Sequence, residues 1–398
     1  MRVLLVTDWN RQHGGAEAFI AALRKGLILS GDEVRLLTSS AGSAADGEAD
    51  DIAFGSENSA VQSVLQIYNP FAAACVTRTL KEFRPDVVVV NMFAHHLSPA
   101  ALFPLKDVPS VLLVSDYKTV CPIGSKLLPD YSLCTHRQGT VCLRKGCTGL
   151  LHWLRDRPRY FGIQRAVKSF SQIVTCSEWV KDVLQANDIA SKTLLLPTPW
   201  PIDEPVRQAT QYPRFLFLGR LEREKGADVL LETVANWTNR PNNLKLCLVG
   251  RGSHRNQLEQ LTRELNLEQQ VEFVDWLDKQ SLVSEIMKSW TLVVPSLWAE
   301  PLGLVAVEAV VRGVPVIASQ DGGLAEIVEQ NESGLLFPNG DQDGLRRCLE
   351  VIVNREVFPS LTLSPEVVAR KREQFALQPY VDRFRELLHE VVMEYTSS

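Results

Sequence analysis

Two glutamates eight positions apart, Glu300 and Glu308, flank the start of an apolar stretch in the C-terminal half of the chain. Residues 291–295 are mostly apolar and predict a buried strand, and Pro301 has the backbone angle that favours a first helical turn. The N-terminus of a helix binds anions through its free N–H groups and partial positive charge. Carboxylates beside it accept hydrogen bonds from hydroxyls. The pattern therefore predicts a site for a phosphate that lies between two hydroxyl-bearing groups.

Cations upstream of these glutamates favour the binding of a ligand over a structural role. An exposed Glu300 and a Glu308 satisfied within its helix would give the same local sequence, although carboxylates are seldom buried unless paired. The segment 218–226 predicts a strand, a polar loop and a helix start, with Arg220 at the strand end and Lys225 near the helix. Two cations in that position can hold a diphosphate. A solvated charged loop is the alternative.

Glycine turns follow two of the predicted strands. Gly14 and Gly15 lie between the first strand and a helix, where the backbone either approaches a ligand closely or only turns. Gly250 begins a turn like a dinucleotide-binding fingerprint, but Arg255 stands where the third glycine belongs. The turn gives little support to a NAD-dependent dehydrogenase.

One aspartate pair has the spacing of a divalent-metal motif. Asp341 and Asp343 follow a turn and precede a helical run. An aspartate in that position caps the helix through its side-chain oxygen. Helix capping explains the pair better than metal binding, and the sequence predicts no metal there.

Composition limits the classes of protein that need to be considered. The 398 residues are enough for two domains, and a net charge of −5 with a pI of about 5.9 gives no nucleic-acid footprint. No apolar run approaches the roughly 20 residues that span a bilayer. The apolar start of the chain is too short for a signal peptide and predicts a strand. We therefore expect a cytoplasmic protein whose eight cysteines are mostly reduced thiols.

Predicted strands and helices alternate along both halves of the chain, which indicates parallel sheets covered on both faces. Ligands of such sheets bind at the carboxyl ends of the strands. Three prolines within 197–201 predict a stiff linker between two such domains, and the apolar stripe of 379–395 predicts an amphipathic last helix. The predicted strands are 2–8, 33–39, 87–91, 110–116, 172–177 and 193–197, then 214–219, 245–250, 271–276, 291–295, 314–319 and 334–338.

Together these features resemble the retaining glycosyltransferases of family GT4, which have the GT-B fold. The resemblance implies an α/β protein with two doubly wound, Rossmann-like domains facing across a cleft. Residues 1–200 would form the acceptor-side domain, with the C-terminal helix 379–398 packed back on it, and residues 201–378 would bind the nucleotide sugar. The motifs that carry the resemblance are Gly14–Glu17, Gly219–Gly226, Val249–Gly252, the pair Glu300 and Glu308, and Asp321–Gly323.

The same resemblance implies roles for the donor-side residues. Arg220 and Lys225 would hold the diphosphate, Glu308 the ribose hydroxyls and Glu300 the hydroxyls of the donor sugar. Because the two cations neutralise the leaving diphosphate, we expect no metal ion or other cofactor to be required. The expected donor-binding residues are Gly14, Gly15, Arg220, Lys225, Gly250, Trp276, Glu300, Gly303, Leu304 and Glu308, and Glu300, Arg220 and Lys225 are also expected to act in catalysis.

The acceptor side departs from the family pattern at two positions. Many relatives have histidine where this chain has Asn91 and Ser115, so a histidine contact to the reacting sugar is in doubt. Asp116 becomes the candidate catalytic residue on this side. Asn91, His95, Ser115 and Asp116 are the acceptor-site candidates, although His95 would equally suit a core or loop position.

A segment rich in cysteine and basic residues, 118–168, is the last unusual feature. Four cysteines within it could bind a structural metal, form disulfides or remain thiols, because their spacing lacks the paired C-x2-C signature. Basic residues interleaved with apolar ones could contact anionic lipid or a diphosphate-linked acceptor, or form a solvated helix face. The cysteines are Cys121, Cys134, Cys142 and Cys147, and the basic residues include Lys118, Lys126, Arg155, Arg157, Arg159, Arg165 and Lys168.

The sequence thus predicts an enzyme that transfers a hexose, with glucose as the first choice, from a UDP-sugar to a polysaccharide or lipid-linked glycan. We expect it in the cytoplasm, in contact with the inner face of the membrane, as part of envelope or exopolysaccharide synthesis. A GT-B nucleotide-sugar epimerase, a non-catalytic nucleotide-sugar-binding module and a dehydrogenase are the alternatives. Acceptor-independent hydrolysis, binding without turnover and NAD binding, respectively, would identify them.

Overall fold

The computed structural model describes residues 1–9, 15–41, 49–189, 193–195, 207 and 209–397, with the backbone alone at 16 and 193–195. The chain divides into two compact units. The first comprises Met1–Pro129, Cys134–Pro201 and Ala376–Ser398, and the second Asp130–Leu133 and Ile202–Phe375. These bounds differ from the expected ones by up to three residues, apart from the segment 130–133. Gly14 and the proline linker 197–201 lie outside the described residues.

The first unit is built on a seven-stranded sheet with the strand order β3-β2-β1-β4-β5-β6-β7, and every strand pair is parallel. All-parallel sheets need helices on both faces, which explains their continuous apolar strands. Its strands are β1 Arg2–Val6, β2 Glu33–Ser39, β3 Asp51–Ala53, β4 Val87–Val90, β5 Ser110–Val114, β6 Gln172–Thr175 and β7 Thr193–Leu195. Its helices are α1 Gly15–Leu29, α2 Ser59–Leu65, α3 Pro70–Phe83, α4 Thr140–Arg144, α5 Leu150–Val167, α6 Glu178–Gln185 and the C-terminal α14 Leu377–Ser397.

The C-terminal helix α14 belongs to the core of the first unit. Phe384 and Leu388 are fully buried in a cluster with apolar residues of α1, β1 and β4. A Cβ on Gly26 of α1 would lie 2.5 Å from a methyl of Val381, so the glycine lets the two helices approach closely. Burial of a side chain such as Phe384 contributes about 1.5–3 kcal/mol. The apolar stripe read from the sequence is therefore the face that covers this sheet.

The second unit has a six-stranded parallel sheet with the strand order β10-β9-β8-β11-β12-β13. In both units the order reverses beside the first strand of the sheet, and the crevice at such a point is where doubly wound folds bind ligands. Its strands are β8 Arg214–Leu218, β9 Lys245–Val249, β10 Val271–Val274, β11 Thr291–Val294, β12 Val316–Ser319 and β13 Gly334–Phe337. Its helices are α7 Ala227–Asn236, α8 Arg255–Glu264, α9 Lys279–Lys288, α10 Leu304–Val310, α11 Leu324–Ile327, α12 Gln342–Val353 and α13 Pro365–Gln374.

Apart from element ends that differ by one or two residues, the predicted elements differ from the observed ones in two places. The three-residue strand β3 is too short to give a pattern. Helix α10 begins at Leu304 and not at Pro301, because Gly303 has a φ of 95° and interrupts the helical backbone. The predicted capping role of Asp341 is confirmed, since its side chain accepts the Gly344 N–H at 3.0 Å.

None of the helices in the described part of the chain combines the length and apolar character that a bilayer-spanning segment needs.

Candidate active site

In the second unit, Glu300 is a buried carboxylate with charged and polar partners. It lies between β11 and α10 and is 6% exposed. Lys225 Nζ donates to both of its oxygens, at 2.7 and 3.0 Å, and Ser296 Oγ donates to Oε1 at 2.7 Å. Burial alone would raise the pKa of Glu300, but the charge and hydrogen bond of Lys225, with the bond from Ser296, hold the pKa below its usual value. Glu300 is therefore an ionised hydrogen-bond acceptor at neutral pH, and the exposed alternative is excluded.

The backbone around Glu300 is fixed by the Asp321–Gly323 turn. Gly322 forms a β-bridge with Glu300, and Gly323 N–H donates to the Glu300 carbonyl at 2.7 Å. Gly322 has a φ of 94°, and a Cβ there would come within 2.6 Å of the Glu300 backbone. The turn needs glycine for both reasons. It holds Glu300 and Pro301 out of the helix, which is why α10 starts later than the proline predicts.

Lys225 reaches Glu300 from a loop that is tied to its neighbours. Leu221 N–H donates to the Arg251 carbonyl at 2.8 Å, and Leu297 N–H donates to the Glu224 carbonyl at 2.9 Å. The ammonium of Lys225 also lies 4.7 Å from the centre of the Trp298 ring, within the range of a cation–π contact. These contacts fix the position of the Lys225 side chain independently of a ligand.

The other donor-side candidates occupy the same edge of the sheet. Glu308 is 6% exposed in α10, Gly303 is the N-cap of that helix and Leu304 is its first residue. Arg220 is mostly exposed and pairs with Glu224 at 3.3 Å. The structure thus joins Lys225 to Glu300 directly and leaves the Arg220 guanidinium at the surface.

The turn after β9 and the loop after β10 also lie at this edge. Gly250 has a φ of 149°, and a Cβ on it would lie 1.9 Å from the Gly219 carbonyl oxygen, so the two turns are in close contact. Asp275 accepts hydrogen bonds from Arg255 at 2.6 Å and from Arg251 at 3.3 Å. Trp276 follows and is 46% exposed. Its indole is accessible to a nucleobase.

In the first unit, the four acceptor candidates line one small pocket at the carboxyl ends of β4 and β5. The pocket measures about 20 Å³, and Asn91, His95, Ser115 and Asp116 all contribute to it. Ser115 Oγ donates to Asn91 Oδ1 at 3.3 Å. The Asn91 Nδ2 is buried and has no hydrogen-bond partner among the described residues. A free donor in a pocket suits an incoming hydroxyl oxygen.

Asp8 fixes the backbone beside this pocket, and it is not among the candidate site residues named from the sequence. Its buried carboxylate accepts the backbone N–H groups of His95, His96 and Leu97 at 2.7–2.9 Å. Burial raises the pKa of Asp116 to about 6; the Lys118 N–H opposes that shift, and the charge of Asp8 adds to it. Asp8 thereby fixes the His95 turn and alters the proton affinity of Asp116. Its place at a strand end is the only signal in the sequence.

Gly15 is described at the first position of α1, whereas Gly14 lies outside the described residues. Their predicted role at the donor stays a prediction.

The four cysteines of the segment 118–168 are free thiols. Burial raises the pKa of Cys147, and the charges of the other three cysteines raise it further. Within the described ranges, no group of three or more His, Cys, Asp or Glu side chains is placed to hold a metal ion. A structural metal at these cysteines remains a prediction.

Some of the basic residues predicted to form a surface are buried or partly buried. Arg159 is buried and donates to the Ala94 carbonyl, Lys126 is buried with its Nζ on the His136 carbonyl, and Arg155 pairs with Asp156. Arg159 and Lys126 are used inside the unit, because a buried charge needs hydrogen-bond partners, whereas Arg155 is partly exposed. Arg157 and Arg165 on α5, and Lys168 directly after it, are exposed.

Comparisons with known proteins agree with both halves of this arrangement. The family model Glycosyltransferase Family 4 matches residues 13–203, and the model Glycosyl transferases group 1 matches residues 200–361. The lipopolysaccharide core biosynthesis glycosyltransferase LpsE of Rhizobium meliloti is 29% identical over 180 residues, which are 44% of this chain and 49% of that protein. The alignments with this and two further curated relatives span 30–49% of the relatives' lengths.

Solved structures show the same fold over the whole chain. Sucrose-phosphate synthase of Thermosynechococcus elongatus has a TM-score of 0.76 at 20% identity, with 100% of both chains covered. Anabaena HepE in complex with UDP-glucose has a TM-score of 0.69 at 18% identity, with 98% of this chain and 100% of that chain covered. With the two family models, these likenesses identify the chain as a member of the GT4-like glycosyltransferases with the GT-B fold.

Proposed function

We propose that this protein transfers a hexosyl group, glucose being the first choice, from a UDP-sugar to a glycan or lipid-linked acceptor with retention at the anomeric carbon. The observation that carries the proposal is the buried Lys225–Glu300 pair beside the start of α10. It sets a cation and a fixed carboxylate at the carboxyl edge of a parallel sheet, where such folds bind nucleotides. HepE, which shares the fold, binds UDP-glucose.

The chemistry assigned to the donor side is electrostatic. Lys225, Arg220 and the N–H groups at Gly303 and Leu304 would stabilise the charge that develops on the leaving diphosphate. Stabilisation of this kind is often the main source of an enzyme's rate enhancement. Glu308 would hold the ribose and Glu300 the donor sugar. Asp116, with Asn91, His95 and Ser115, would position the acceptor hydroxyl.

We place the reaction in envelope or exopolysaccharide synthesis, in the cytoplasm and against the inner face of the membrane. The similarity to LpsE supports this setting. Helix α5 supports the membrane contact, since Leu150, Leu151, Leu154 and Phe161 are each at least half exposed. They share one helical face with the exposed Arg165 and Lys168. A basic amphipathic face of this kind binds anionic lipid surfaces.

A screen of nucleotide sugars by thermal shift, followed by a hydrolysis and transfer assay on the best binder, tests the proposal. The proposal predicts that a UDP-sugar gives the largest shift and that UDP is released faster when a glycan acceptor is added. Binding of intact UDP-sugar with no release would instead identify a binding module. Release with no acceptor-dependent product would favour the epimerase.

A further inference from the structure

A second pocket lies in the first unit, between α5 and residues 122–148, which precede it and include three of the four cysteines. It measures about 300 Å³ and shares no lining residue with the small pocket of Asn91. Trp153, Arg157 and Tyr160 line it from α5, Gln138 lines it from the preceding loop, and Thr140 lines it from the start of α4. A volume of this order is at the lower end of the range for small-molecule sites.

Hydrogen bonds hold the aromatic walls of this pocket in place. Trp153 Nε1 donates to the Gly139 carbonyl at 3.1 Å, and the Tyr160 hydroxyl donates to the Pro122 carbonyl at 2.8 Å. The Arg157 guanidinium lies 4.9 Å from the centre of the Trp153 ring. Both aromatic residues are thus joined to the loop across the pocket. These contacts fix the shape of the pocket within the first unit.

The polar groups of the lining include an acceptor that lacks a donor. Gln138 Oε1 is buried and has no hydrogen-bond partner among the described residues. Leaving such a group unpaired is unfavourable, so a ligand hydroxyl that donates to it is favoured. The Asp156 carboxylate is already engaged by Arg155 at 2.8 and 3.1 Å. The hydrogen-bond acceptor that remains available to a ligand is therefore the neutral side-chain amide of Gln138.

The charge of the lining distinguishes a neutral ligand from a phosphate. Arg157 is its one cation and Asp156 its one anion among the lining residues, so their formal charges cancel. Phosphate sites use several cations or free N–H groups. Aromatic faces beside amide and hydroxyl groups suit a sugar ring instead, which has apolar C–H faces and a rim of hydroxyls.

We propose that this pocket binds a neutral sugar residue of the acceptor glycan, away from the residue that is glycosylated. The ring packs against Trp153 and Tyr160, and one hydroxyl donates to Gln138 Oε1. This assignment rests on the proposed glycosyltransferase function, and it makes the enzyme select acceptors longer than one sugar. A lipid headgroup or a free phosphate would require a positively charged lining.

The test is binding of the 398-residue chain to an array of neutral and phosphorylated oligosaccharides, followed by titration of the best neutral ligand. We expect Gln138→Ala to weaken that binding at least fivefold and Trp153→Phe, which keeps an aromatic ring but loses the N–H, to weaken it less. Leu29→Ala is the control, because Leu29 of α1 is 74% exposed and does not line the pocket. The affinity of this variant for the oligosaccharide should be unchanged.

Three outcomes would overturn the inference: binding to no oligosaccharide on the array, equal binding by wild type and Gln138→Ala, or preference for the phosphorylated ligands. A thermal midpoint within error of wild type is required of each variant, and Gln138→Ser serves where Gln138→Ala fails this criterion. Binding of UDP-sugar by the same preparation separates the two claims. If it persists while glycan binding is absent, the pocket assignment fails alone; if both are absent, the proposed function fails.

Discussion

The Nζ of Lys225 lies 2.7 Å from Oε1 and 3.0 Å from Oε2 of Glu300, so two groups assigned to different parts of the donor are bound to each other. A diphosphate that contacts Lys225 must share the ammonium with this carboxylate. Glu300→Gln removes the competing charge and should leave UDP affinity unchanged or higher. It should lower turnover of UDP-glucose, because a charge-assisted hydrogen bond to the sugar, about 1.5–3 kcal/mol, is lost.

Glu308→Ala should weaken the binding of UDP itself, because the proposed partner of Glu308 is the ribose, which UDP contains. Calorimetry should show UDP affinity falling by roughly tenfold or more. Glu268→Gln, an exposed glutamate of the same unit, is the control. Equal effects of Glu300→Gln on UDP and UDP-glucose would refute the assignment of Glu300 to the sugar.

Lys225→Met should destabilise the protein by about 3 kcal/mol, because it leaves a buried carboxylate unpaired. The double variant with Glu300→Gln should recover most of that loss. The pKa of Glu300 is lower in the folded protein than its ordinary value, so the stabilisation is present above the ordinary value and is lost as the pH falls through the lower, folded-state value. Urea denaturation at neutral and acid pH measures both effects. A Lys225→Met variant as stable as wild type at pH 7 would contradict the ion pair.

The sequence predicts the two sheets well because buried parallel strands are continuous apolar runs, such as 87–90 and 291–294. It also places Asp116 just after a strand and places Lys225 and Glu300 just before helices, where the structure has them. The direct contact of Lys225 with Glu300 is not predictable, since the two residues are 75 positions apart and the contact depends on side-chain geometry. Helix α10 starts three residues late because Gly303 has a φ of 95° and because Glu300 is held in a β-bridge with Gly322, which is a long-range effect.

Charged residues of α5 show the same limit. The pattern of basic residues predicts a solvent-facing cationic surface, yet Arg159 is buried on the Ala94 carbonyl. Helical periodicity alone does not distinguish a buried arginine that has a partner from an exposed one. The pocket between α5 and residues 122–148 likewise cannot be predicted from the sequence. Its two walls come from separate segments, and their contact depends on side-chain geometry.

Chelation should not abolish activity. The proposed ligands of the diphosphate are Lys225, Arg220 and backbone N–H groups, and Asp341 caps a helix. Turnover should therefore survive EDTA within about twofold, an effect of under 1 kcal/mol. Recovery of a lost activity by Mn²⁺ or Mg²⁺ would contradict this account of the leaving group. Recovery by zinc alone, with zinc found by elemental analysis, would point to Cys121, Cys134, Cys142 and Cys147.

Membrane binding should depend on the exposed face of α5. Replacing Leu151 and Leu154 with serine, or Arg165 and Lys168 with glutamate, should reduce co-sedimentation with phosphatidylglycerol-containing vesicles by roughly tenfold or more, at about 1 kcal/mol per cation. Leu29→Ser, which changes a leucine of α1 that is 74% exposed, should have no effect. Donor hydrolysis should be unchanged in all three variants. If the wild-type protein does not bind these vesicles, the proposed membrane contact is wrong.

The most direct test of the central claim is the configuration of the first sugar that the enzyme releases. Proton NMR during the first minutes of UDP-glucose turnover, before the product mutarotates, measures it. The account predicts α-glucose, or an α-linked product when an acceptor is present, and predicts that Glu300→Gln greatly slows its appearance. Initial release of β-glucose, or binding of UDP-glucose with no release by the wild type, would contradict it.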